Sequence, residues 1–188
     1  MSLGILLGCG DGVDEAEGDN APSAGAGATP PPNASAGPTG PAPADGMHID
    51  EPAFSFRAPH GWKMDGRDAD SDLRYVWVKP VDSNDLSGVS AETWFDPGFD
   101  DVTRVPPNIL ENFRYEAKDG RKVADTAWAG QPAYHFVGTN KTLRMAVEQY
   151  GVIWHGEHII VNIDHHTKTP RTERQALVDS IEASWEWK

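Results

Sequence analysis

Five histidines fall in the C-terminal part of this 188-residue chain: His135, His155, His158, His165 and His166. Imidazole is a common ligand for zinc and related metals, so the group raises the question of a transition-metal site. His155-Gly156-Glu157-His158 has the look of a ligand pair. Its glutamate, however, is misplaced for the helical His-Glu-x-x-His pattern of metalloproteases, and its glycine suits a turn between strands. His165 and His166 are neighbours at a strand end and point to opposite faces. A strand length, at about 3.3 Å per residue, separates them from the turn. The residues therefore favour solvated histidines at hairpin ends over a metal site, and His60 reads as a turn residue. Two aspartate groups offer oxygen ligands of the kind calcium takes: Asp96, Asp100 and Asp101 around Pro97-Gly98-Phe99, and Asp65-x-x-Asp68-x-Asp70-x-Asp72. The second run lacks the glycine and the closing bidentate glutamate of an EF-hand loop, so a solvated loop is the better reading. Gly-x-Ser-x-Gly, Ser-x-x-Lys and phosphate-loop patterns are missing. The sequence assigns no catalytic residue and calls for no cofactor.

Seven tryptophans are many for a chain of this size. Trp62, Trp77 and Trp128 are expected in the core. Some of Trp94, Trp154, Trp185 and Trp187 are expected at the surface, where tryptophan favours sugars or partner proteins.

Cys9 is the only cysteine, which rules out an intrachain disulfide and any zinc site built on two cysteines. It ends the run Leu6-Leu7-Gly8-Cys9: apolar, apolar, small, cysteine. The run resembles the lipobox of bacterial lipoproteins. That resemblance implies a diacylglycerol on the Cys9 sulfur, cleavage before Cys9, and an anchor on the periplasmic or extracellular face of a cell envelope. The partners implied are the membrane, through the lipid, and an unidentified envelope protein or glycan. Met1–Gly8 carries no basic residue and only a stub of apolar h-region. The lipobox reading thus expects more signal sequence upstream of Met1; the other reading is a free thiol on a cytosolic chain.

Composition divides the chain. The first 46 residues hold six acids, no Lys or Arg and no aromatic residue. Pro22 to Pro43 contains seven prolines among Ala, Gly, Ser and Thr. Such a stretch buries too little apolar surface to offset its ordering entropy. Residues 1–9 then read as a signal remnant, 10–46 as a disordered acidic tether, and 47–188 as the folded domain; truncation through Asp45 is expected to leave folding intact. A net charge of −13 argues against nucleic acid, whose phosphates demand a basic surface. No apolar run reaches the ~18 residues that a membrane helix needs.

The elements that position these residues alternate in type. Phe54-Ser55-Phe56, Leu73–Val78 and Val89–Phe95 read as strands. Pro106-Pro107 opens a helix whose Ile109, Leu110, Phe113 and Ala117 recur every three to four residues up to Gly120. Lys122–Trp128 and Ala133–Val137 flank a hairpin-like connection. Leu143–Trp154 and Glu157–Asp164 pair across a His155-Gly156 turn. That register sets Val152 opposite Ile159 and Tyr150 opposite Val161. A final helix is expected over Thr169–Trp187, with Ala176, Leu177, Ser180, Ile181 and Ser184 inward, Asp179 and Glu182 outward, and Trp185 and Trp187 at a sheet edge. Trp62 and Ile181 are expected in the core.

Phe54-Ser55-Phe56 followed by Pro59-His60-Gly61-Trp62 resembles the opening of PsbP-like domains. Gly130-Gln131-Pro132-Ala133-Tyr134 resembles their Gly-x-Pro-Ala hairpin, and Ile181-x-x-Ser184-Trp185 their C-terminal helix end. The resemblance implies an α+β fold, an antiparallel β-sheet flanked by helices as an α/β/α sandwich, preceded here by the disordered tail. Its Mog/PsbP superfamily includes photosystem extrinsic subunits, Ran-binding transport factors and many bacterial lipoproteins, so it implies no single function. The leading expectation is a non-enzymatic, envelope-anchored binding or assembly module. The alternatives are a metal- or calcium-dependent enzyme or binding protein, and a cytosolic protein-binding domain.

Overall fold

The computed structural model describes residues 40–68, 74–81, 86–94 and 98–188. Cys9, Asp70, Asp72, Leu73 and Asp96 lie outside them. Chain order is β1 (His48–Asp50), β2 (Phe54–Arg57), β3 (Trp62–Asp68), β4 (Arg74–Pro80), β5 (Gly88–Trp94), a 3-10 turn (Val102–Arg104), α1 (Pro107–Glu116), β6 (Arg121–Lys122), β7 (Thr126–Trp128), β8 (Gln131–Asn140), β9 (Met145–Trp154), β10 (Glu157–His166), α2 (Arg171–Glu182) and β11 (Glu186–Trp187). The main sheet is antiparallel, in the order β3-β4-β5-β10-β9-β8-β6, with β7 also on β8. A smaller sheet runs β1-β2-β11.

The β9–β10 hairpin is the longest pairing and forms as its sequence dictates. His155 and Gly156 both adopt positive φ, 51° and 82°, which matches the twist of a two-residue hairpin. Val152 faces Ile159 and Tyr150 faces Val161. Ala129-Gly130 makes a second such turn, with φ of 47° and 80°, and pairs Trp128 with Gln131.

Alternation along the strands gives the sheet two different faces. On one, Val76, Val78, Val89, Ala91, Val152, Ile159, Val161 and Ile163 are buried under the small sheet and α2. Trp185 is central to this layer. It stacks on Phe54 at 4.5 Å and Phe56 at 5.2 Å, and meets Trp128 edge-on at 5.5 Å. On the other face, α1 sets Ile109, Phe113 and Ala117 on Tyr134, Phe136, Met145 and Val147. The architecture is thus α+β, with helices on opposite faces of an antiparallel sheet and a second small sheet beside α2.

Several local expectations are corrected. Helix α2 stops at Glu182, because the Ser184 hydroxyl accepts from the Arg57 backbone N–H at 3.0 Å and turns the chain into β11. Val178 and Ile181 are its buried residues, while Ala176 is exposed. Glu182 points inward and accepts from the Ala129 N–H at 3.0 Å. Trp185 is buried rather than at the surface, and Trp62 is only half-buried against the core. Trp77 lies on the opposite face of β4 from Val76 and Val78, half-exposed. Packing also begins before residue 47: Ala44 is buried and its N–H donates to Ser180 O at 2.8 Å, and the Gly46 N–H donates to Ala58 O at 2.9 Å. A cut through Asp45 therefore removes a contact that a cut at Pro43 keeps.

Ile181 is fully buried between α2 and the two sheets. Ile181→Ala should cost ~2–5 kcal/mol in chemical denaturation, as for other buried aliphatic truncations. A loss within ~0.5 kcal/mol, the range of surface sites, would contradict this packing.

Candidate functional site

Helix α1 covers only β8 and part of β9. Beyond it, the same face of β9, β10, β5 and β4 forms the floor of an open groove. Its wider part, about 440 Å³, is lined by Glu92, Trp94, Gln149, His158, Ile160 and Asn162 from the strands. Asn108, Asn112, Tyr115 and Glu116 complete it from α1. Those four fall at i, i+4, i+7 and i+8, one flank of a helix. A second cavity of about 300 Å³ shares Glu116 and adds Trp77, Leu86, Asn140, Leu143 and Asp164.

Buried hydrogen bonds hold the floor in place. Gln149 Nε2 donates to the Tyr134 hydroxyl at 2.9 Å, and the same hydroxyl is hydrogen-bonded to His158 Nε2 at 3.1 Å. The His158 ring also meets Phe99 edge-on at 4.8 Å. Tyr134 reaches this position because Gly151 lies beneath it; a Cβ there would overlap the phenol ring. Glu92 accepts from Trp94 Nε1 at 3.1 Å and from Asn162 Nδ2 at 3.3 Å. Asn162 Nδ2 also reaches Ser90 Oγ at 3.3 Å, while Asn162 Oδ1 is shielded from solvent with no hydrogen-bond donor.

The groove is electrically one-sided. No Lys or Arg lines either cavity. Burial raises the pKa of Glu92 and of Glu116 above the usual carboxylate range. Asp164 is pushed up to about 7, by burial first and then by repulsion from Glu116. Tyr75, next to Glu92 in the strand register, rises to about 12 through burial and then the field of Glu92, Asp164 and Glu116.

The histidines and aspartates read from the sequence are scattered. His158 lies on the groove floor and His165 on the opposite face of β10; both are buried, at 3% and 4% exposure, so neither is a solvated hairpin-end residue. His158 is covered on the groove face by Phe99 and Tyr134, so packing and not position near a turn decides its burial. His155 is exposed at the turn and stacks on Trp154 at 4.4 Å. His166 Nδ1 accepts from the Lys168 N–H at 3.2 Å. His135 lies on the core-side face, 3.3 Å from Glu148 and stacked on Tyr150 at 4.2 Å. His60 is exposed beside Gly61. Asp68 ends β3 opposite Tyr75, and Asp65 pairs with Lys79 at 2.7 Å. Asp101 caps the 3-10 turn through Thr103, whose N–H and hydroxyl donate at 2.9 and 2.7 Å; Asp100 is exposed. Among the described residues, no three His, Cys, Asp or Glu side chains come together to hold one metal ion. Sequence reasoning missed Glu92, Asn162, Asp164 and Glu116. Their signal was the polar stripe Ser90-Glu92 and His158-Asn162-Asp164, out of phase with the apolar stripe of the same strands.

Among solved structures, the chain is similar to cyanobacterial PsbP (CyanoP) from Synechocystis. The TM-score is 0.55 with 15% identity, over 84% of this chain and 100% of that one. The fold is PsbP-like. A structure from Bacteroides thetaiotaomicron is more distant, with a TM-score of 0.42 and 9% identity over 76% of this chain and 48% of that one. No protein-family model matches the chain, and no curated protein does. Within this fold the expected hairpin Gly130–Tyr134 forms the start of β8, and Ser184 and Trp185 close α2 onto β2. Among the described residues, no helix is long and apolar enough to cross a membrane.

Asp164 gives the fold a pH signature. Its folded pKa of about 7 lies above the ordinary 3.8. From about pH 4 to 7 the folded state therefore holds a proton that the unfolded state lacks, so this contribution to stability is lost as pH rises through that window. Asp164→Asn should remove it. The variant's stability relative to wild type should improve by roughly 1–3 kcal/mol between pH 4 and pH 8, measured by urea denaturation at both values. An unchanged difference would place Asp164 in water.

Proposed function

We propose that the chain is a non-enzymatic binding module that engages a partner through the groove beside α1, and that a lipid on Cys9 holds it at a bacterial cell envelope. The observation that carries the binding role is the uncovered half of the sheet face. Trp94 there is 42% exposed and Tyr115 85% exposed, next to carboxylates whose partial burial disfavours the charged form. Large exposed aromatics beside a concave, partly desolvated floor are the usual material of a recognition site. Glu92, His158 and Tyr134 are held in hydrogen bonds that fix the floor. The PsbP-like fold is compatible with an accessory role but does not specify one. The anchor reading rests on Leu6-Leu7-Gly8-Cys9 and on the Pro-rich acidic stretch after it, a composition that keeps a domain clear of a membrane surface.

A photo-reactive amino acid placed at Tyr115 or Leu143 should yield a discrete crosslinked adduct in the native cell. The same probe at the exposed Glu173 of α2 should not. Equal labelling from both sides of the domain would remove the groove from consideration.

The anchor has its own test. Expressed behind a complete lipoprotein signal, the wild type should sediment with membranes and Cys9→Ser should not. The thiol is the sole acceptor for the thioether lipid, and the acidic stretch has no attraction to anionic headgroups. If both proteins partition alike, Cys9 is not the anchor.

A further inference from the structure

Resting on the groove as the binding site, we propose that its occupant is an extended basic segment of a protein partner, with Lys or Arg side chains four residues apart on Glu92 and Asp164. Three lines of geometry converge on this. The first is charge. Glu92, Glu116 and Asp164 face one trough, and among the described residues none of them has a Lys or Arg partner in an ion pair. On β4, Lys79 is engaged with Asp65 at 2.7 Å, and Arg74 belongs to the opposite face, where it pairs with Glu157 at 2.6 Å. A cation brought by a partner would complement them and favour their charged forms.

The second is length. Glu92 lies opposite Ile160 in the β5–β10 register, and Asp164 is four residues further along β10. At ~3.3 Å per residue the two carboxylates are separated by about 13 Å along the trough. Residues i and i+4 of an extended chain point the same way at that same spacing. Glu116 lines both cavities, so the two ends adjoin on one face of the sheet.

The third is the wall chemistry. Trp94 and Tyr115 line the Glu92 end, where a guanidinium or ammonium over a ring would gain from the aromatic quadrupole as well as the carboxylate. Leu86 and Leu143, 45% and 49% exposed, stand at the Asp164 end and suit the aliphatic stem of the second basic residue.

The test is a titration of the isotope-labelled protein, at low salt, with a short capped Thr/Val peptide carrying two lysines four residues apart. Chemical-shift changes should map to Glu92, the Trp94 indole, Asn162 and Asp164. Acetylating both lysines should abolish them, and moving one lysine by a single position should weaken binding about 3–10-fold, because it then faces away from the floor. Glu92→Gln with Asp164→Asn should abolish binding; the acetylated and shifted peptides decide the matter without any variant. Equal binding of the acetylated peptide, shifts that map elsewhere, or a double variant that binds as well as wild type would overturn the proposal. So would a free diamine binding as tightly as the peptide, which would make the site one for small cations. A crosslink from Tyr115 without any response to the lysine peptide overturns the basic occupant while the docking face stands. Loss of both overturns the groove reading as well.

Discussion

The register of β10 against β9 is the constraint on which everything else depends. Every residue of β10 is assigned to a face by it. Ile159, Val161 and Ile163 enter the core, while His158, Ile160, Asn162 and Asp164 become the groove floor. A slip of one residue would exchange the two sets, placing an aspartate and an asparagine under α2 and three aliphatic side chains in water. The two-residue turn prevents this. His155 accepts a positive φ that a non-glycine residue adopts only when the structure around it requires it. Strand β5 then reads the same register from the other side and sets Glu92 beside Ile160 and Ser90 beside Asn162.

The two faces of the sheet are stabilised differently. The core side is dominated by aromatic stacking around Trp185, with Phe54 and Phe56 on one flank and Trp128 edge-on. The other side is aliphatic and aromatic only beneath α1, then becomes polar and partly dry. Carboxylates placed in such a setting resist ionisation. That is the electrostatic character of the groove, and it follows from α1 being only ten residues long, too short to cover the whole sheet.

Much of the fold was legible because its strands obey a period of two. The hairpin register, the position of α1 and the identity of Ile181 as a core residue all follow from pattern and turn chemistry. The errors arose where tertiary contacts override local signals. Helical spacing alone extends the α2 stripe through Ser184; the contact of Ser184 with Arg57, distant in sequence, ends the helix earlier. Trp185 looked like an edge residue because nothing local reveals that Phe54 and Phe56 will stack on it. The site was less legible than the fold. Histidines and aspartate runs drew attention by residue type, yet the structure disperses them. The groove acids looked like ordinary solvent-facing strand residues, since the sequence does not say how far a helix will reach across a sheet.

The packing of the C-terminal tryptophans has an optical consequence. Trp128, Trp185, Trp187 and Trp154 form a chain of neighbouring indoles with centroids 5.5, 5.4 and 5.2 Å apart, leading from the fully buried core to the half-exposed surface. Indoles this close exchange excitation before they emit. Light absorbed at any of the four is shared among them, and their transitions couple, giving split bands in circular dichroism and depolarised fluorescence even when the backbone is rigid. Trp94, which forms none of these ring contacts, stands apart as a separate chromophore on the groove. The intrinsic emission of this protein is therefore a composite of one collective core signal and the separate responses of Trp62, Trp77 and Trp94.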